Sequence, residues 1–182
     1  MSDMSDRAIA GSVNEAAGSG RPRAFDTILY GGLAVGVLDI LDAMTFFGIR
    51  SGMTPIRVLQ SVAGGLLGRD TFNGGMKTAL LGLLLHFLIA TILATIYYVA
   101  SSILPLLLRY AVSAGLLYGV AVYFVMTYVV VPHSAYGPRS APVPWSVFLN
   151  GIIGHALLVG LPIALIARRS AKTARRNHGT HL

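Results

Sequence analysis

Residues 78–108 read TALLGLLLHFLIATILATIYYVASSILPLLL, 31 positions free of Asp, Glu, Lys and Arg between Lys77 and Arg109. A bilayer core is crossed by about 20 apolar residues rising about 1.5 Å each, so this stretch is long enough to span one and turn back at Pro105. Two further charge-free stretches follow, bounded by Arg109, Arg139 and Arg168. Across all 182 residues, 54% are apolar, 12% are charged and the mean hydropathy is +0.69, a composition in which lipid is the implied solvent.

Extending the reading outward predicts an all-α membrane protein, a bundle of four transmembrane helices. The first runs from about Ile28 to Gly48, the second from Thr78 to Ala100, the third from Leu106 to Val131 and the fourth from Trp145 to Ala167. Ser101, Ser102 and Pro105 mark one turn, and Pro132, Gly137, Pro138, Pro142 and Pro144 mark a rigid loop. Between the first two spans, Thr54 is placed to cap a helix and Pro55 to begin it. Ile56, Leu59, Ala63, Leu66 and Leu67 then recur at helical spacing, with Arg57, Gln60, Ser61 and Gly64 opposite, which predicts a short interfacial amphipathic helix ending near Gly68.

The bundle is expected over residues 25–168, flanked by a disordered N-terminal tail, 1–24, and a basic tail, 169–182. The N-terminal stretch lacks the apolar core of a signal peptide. The absence of cysteine excludes disulfides and thiolate ligands. The net charge of +7 is concentrated beside span ends, where Lys and Arg meet lipid phosphates, so the expected partner is the bilayer and not nucleic acid. Nine Lys and Arg fall on the side of the termini and five on the other, which predicts both termini in the cytoplasm.

Ionisable residues are costly inside a membrane and usually face protein or water. Asp39, Asp42, His86 and His155 all lie within predicted spans. At about 1.5 Å per residue they sit roughly 16, 12, 13 and 15 Å from the ends bearing Arg50, Lys77 and Trp145, that is, in one layer. Small residues share their faces: Gly32 and Gly36 with Asp39, Gly82 and Ala90 with His86, Gly151 with His155, and Gly115 and Gly119 leading to Tyr123. Asn150 and Tyr123 complete the predicted layer as supporting groups.

Four chemistries suit such a layer. Cross-helix hydrogen bonds can simply hold the bundle together. A proton, ion or small polar ligand can use Asp39 and Asp42 as acceptors and His86 and His155 as titrating partners. His86 and His155 can ligate a haem, as in an electron carrier, or join both carboxylates around a divalent metal. No phosphate loop, zinc-protease motif or nucleophile elbow is present, so an enzyme is not expected. Transport or sensing is the leading expectation, with self-association or a membrane-complex partner enlarging the small bundle. A structural or accessory subunit is the alternative.

The stretch from Thr71 and Phe72 through His86 to Tyr97 and Pro105, followed by Gly115, Gly119, Met126 and Pro132, resembles the YagU-like family of small bacterial inner-membrane proteins. The resemblance covers about a third of the chain. It implies a bacterial inner-membrane location and matches the family's helix-borne histidine to His86 and its proline to Pro105. It implies no biochemical activity, cofactor or metal.

Overall fold

The first helix ends where glycine permits it: Gly52, at φ 65°, takes the left-handed conformation and bonds back to the Gly48 carbonyl at 2.9 Å. This closes α1, Asp26–Ser51, which opens with a π turn, Asp26–Tyr30. Two residues further on, the Thr54 hydroxyl accepts the Arg57 backbone N–H at 3.4 Å and Pro55 fills the first helical position. That start produces α2, Pro55–Leu67, followed by a 3-10 segment, Gly68–Asn73. The chain continues as α3, Gly75–Ile103, a one-turn α4, Leu106–Arg109, and α5, Ala111–Val130. The last helix, α6, begins at Trp145, passes through a π turn, His155–Gly160, and continues as Leu161–Gly179.

The structure is a computed structural model describing residues 22–138 and 140–179. Most of the N-terminal tail expected to be disordered lies outside these residues, as do Arg139 and 180–182. Among the described residues there is no strand, and four helices, α1, α3, α5 and α6, are long and apolar enough to cross a membrane. Only 22–33% of each apolar stretch is buried inside the protein. Leu80, Leu84, Leu88, Ile92 and Ile96 form an outward row along α3, as expected of a helix solvated by hydrocarbon.

The spans alternate in direction, and α1 and α6 lie at the centre. α3 packs on α1 and α5 packs on α6, whereas no Cα of α5 comes within 8 Å of one in α3. Small residues set these seams. Gly32 and Gly36 of α1 lie under Thr91 and Phe87 of α3, and Gly115 and Gly119 of α5 lie against the α6 backbone at Gly160 and His155. Val35, Ala94, Tyr97, Val122, Val159 and Ile163 fill the space between.

α2 occupies the end of the bundle opposite the termini, but not with the face expected. Gln60, assigned to the polar side, is only 3% exposed, and Gly64 is also buried, whereas Ile56, Leu66 and Leu67 point outward. The reason is local pairing. Gln60 Nε2 donates to the Gly75 carbonyl at 3.0 Å and to Thr78 Oγ1 at 3.2 Å, and its backbone carbonyl accepts the Thr71 hydroxyl at 3.0 Å. Gly82 lets the Leu59 carbonyl come close to α3, while Gly64 makes room for Tyr136 from the loop after α5. The Tyr136 hydroxyl donates to the Ser61 carbonyl at 2.9 Å, and burial pushes its pKa up against the opposing influence of Arg69. The shift favours the neutral, donating form, so this tie holds through neutral pH and weakens only in strong alkali.

At the other end, α6 continues past Arg168 into the expected basic tail. It remains helical to Gly179, and buried Ser170 receives the Arg23 backbone N–H at 2.5 Å.

Candidate functional site

Two neighbouring cavities lie inside the bundle. One, of about 180 Å³, is lined by all four spans and α2: Val35 and Asp39 from α1, Val62 from α2, His86, Ile89, Ala90 and Leu93 from α3, Met126 from α5, and His155 and Val159 from α6. The other, of about 190 Å³, lies between α1, α5 and α6 and is lined by Asp39, Asp42, Ala43, Phe46, Phe47, Tyr123, Val147, Asn150, Gly151 and His155. Asp39 and His155 belong to both walls. All six residues of the expected layer therefore line one cavity or the other.

Each polar group is held differently. His86, 9% exposed, has Nε2 at 2.9 Å from the Gly36 carbonyl, and a carbonyl only accepts, so Nε2 carries hydrogen and the neutral ring keeps its lone pair on Nδ1. His155 is the reverse. Its Nδ1 lies 2.9 Å from the Gly151 carbonyl one turn back, which leaves Nε2 as the acceptor. Asn150 Nδ2 donates to Asp42 Oδ2 at 2.9 Å and joins α6 to α1. The Tyr123 ring meets His155 edge-on at 5.6 Å. Asp39 makes no hydrogen bond or ion pair among the described residues, although it stands near the middle of α1.

The metal reading, one of the four, finds no support. Among the described residues, no three His, Asp or Glu side chains gather closely enough to hold an ion. The geometry explains this, since Asp42 is turned to Asn150 and His86 to Gly36. Nor do the residues fit a haem between the two histidines. His86 Nε2 already donates to a carbonyl, and a cavity of about 150 Å³ suffices only for benzene, a fraction of a porphyrin.

Three residues, Gly154, Phe46 and Phe47, and one role, that of the Gly36 carbonyl, stand outside the expected layer. Gly36 supplies a carbonyl to His86. Gly154 keeps the α6 surface open for Asp42 Oδ2, which would lie 3.0 Å from any Cβ there. Phe46 and Phe47 form the aromatic wall. The two phenylalanines follow Asp42 by about one helical turn, a spacing that points to its face, whereas nothing in the sequence marks the carbonyl.

The chain matches no family model, no curated protein and no solved structure. The functional reading accordingly rests on the geometry of Asp39 and its surroundings.

Proposed function

We propose that the protein is a non-enzymatic, multi-pass membrane protein that transports or senses a proton, an ion or a small solute through the layer of Asp39, Asp42, His86 and His155. The observation that carries this reading is the unpaired Asp39 carboxylate, mid-helix in a span and shared with His155 between two cavities. A carboxylate costs about 2.5–3.5 kcal/mol at the centre of a membrane helix, and a packing role would require a partner for it. His86 and Asn150 do bond across helices and serve packing directly; Asp39 does not. His155 Nε2, an acceptor, lines the same two cavities as Asp39, so the shared walls carry two groups able to take up a proton.

The resemblance to the YagU-like family argues for a bacterial inner membrane, and the charge bias argues for cytoplasmic termini. The outward Ile56, Leu66 and Leu67 support α2 lying at the opposite membrane surface, where Arg57 stands 5.7 Å over the Phe72 ring. Four short helices enclose little volume, which favours self-association or a partner in the membrane.

The test is reconstitution into liposomes enclosing a pH-sensitive dye. Wild-type protein is expected to collapse an imposed pH gradient, and Asp39→Asn to match empty liposomes while eluting as a folded species. Equal rates for the two proteins would defeat transport through Asp39.

A further inference from the structure

The two cavities have a definite chemical character. Their walls contain two carboxylates and, among the described residues, no Lys or Arg. An anion is therefore disfavoured. Calcium and magnesium are disfavoured too, because they need six or more oxygens and the walls are mostly carbon, and among the described residues no three His, Asp or Glu gather to hold another metal. Phe46, Phe47 and Tyr123 surround the Asp42 side, and aromatic faces attract organic cations. With volumes of about 180 and 190 Å³, each cavity exceeds the roughly 150 Å³ that accommodates benzene.

A second observation concerns the seam between α3 and α5. No Cα of α5 lies within 8 Å of one in α3, so these two helices meet through side chains. Tyr118 crosses the seam to donate to the Leu93 carbonyl at 2.7 Å, and Met126, a flexible side chain, covers the cavity beyond.

We propose that the ligand of this site is a small lipophilic ammonium, an alkyl or aryl amine of about benzene size, with its charge on Asp39 and its carbon skeleton against the apolar and aromatic walls. The proposal rests on the transport or sensing reading and gives its ligand a class. It places the ammonium where a carboxylate lacks a partner and the hydrocarbon in the cavity on the Asp42 side, where Phe46, Phe47 and Tyr123 offer contact.

The experiment is titration of the full chain in lipid nanodiscs with benzylamine, benzyl alcohol and benzoate, which share a ring and differ in charge. Benzylamine is expected to bind at least about tenfold more tightly than either analogue, and to lose that advantage in Asp39→Asn. Equal affinity for amine and alcohol overturns the proposal without relying on any variant. If Asp39→Asn fails to fold, competition between benzylamine and protons on the wild-type protein decides, with weaker amine binding expected as the carboxylate protonates and pH-independent binding counting against it. Asp39-dependent proton flux without selective amine binding would remove the ligand class and leave the transport reading in place. Selective binding without flux would keep the ligand class and point to sensing.

Discussion

His86 and His155 illustrate how much one carbonyl decides. Each ring is fixed by a carbonyl acceptor, His86 through Nε2 and His155 through Nδ1, so the two present opposite nitrogens to their surroundings. The difference is testable by isosteres. Glutamine places its amide nitrogen near the position of Nε2, so His86→Gln is expected to keep the bond to Gly36 and most of the stability. His86→Ala is expected to lose about 1–3 kcal/mol, because the Gly36 carbonyl faces no donor in its place. Thermal unfolding of both variants in detergent checks this, and equal losses would show that volume matters and the bond does not. At this scale the spacing of Gly32, Gly36, Asp39 and Ala43 already marks the inward face of α1, because close helix approach requires small side chains. The choice of Gly36 as acceptor was not legible, since a backbone carbonyl is available at every position and only the docked neighbour selects one.

At the scale of elements, the four spans are legible because length and hydropathy alone decide them, and α2 is legible from Thr54 and Pro55. Its orientation is not. Periodicity ranks Gln60 as polar and sends it to solvent, yet Thr78 and the Gly75 carbonyl make the interior the better-bonded environment. The docking of α2 depends on Gly82, where any Cβ would run into the Leu59 carbonyl. Gly82→Leu is therefore expected to lift α2 from α3 at a cost of about 1–3 kcal/mol or more. Hydrogen exchange over residues 55–73 would report it as lost protection confined to α2, and unchanged protection would contradict this account of the contact. The π turns at Asp26–Tyr30, Met126–Val130 and His155–Gly160 were also invisible, because hydrophobic patterns do not distinguish one wider turn within a helix.

For the whole molecule, alternating spans bring the start of α1 beside the last turns of α6, with Arg23 on Ser170, and at the opposite end Arg50 Nε donates to Ser146 at 2.8 Å. The protein contains no cysteine, so introduced thiols report sidedness against a clean background. With the proposed orientation, a membrane-impermeant maleimide applied to intact cells is expected to label Ser140→Cys. It should spare Ala24→Cys and Thr173→Cys until the cells are opened. Labelling of Ala24→Cys and Thr173→Cys in intact cells would reverse the orientation, and labelling of only one of them would break the pairing of the ends.

The bond between Asn150 and Asp42 spans 108 positions of chain. A ribosome makes the carboxylate first and its donor much later, so nascent α1 must enter the bilayer while Asp42 has no amide to receive it. Two aspartates at about 2.5–3.5 kcal/mol each weigh against insertion of that helix by itself. α1 is accordingly the segment whose entry depends on those that follow, and its commitment to the membrane is completed only when α6 emerges.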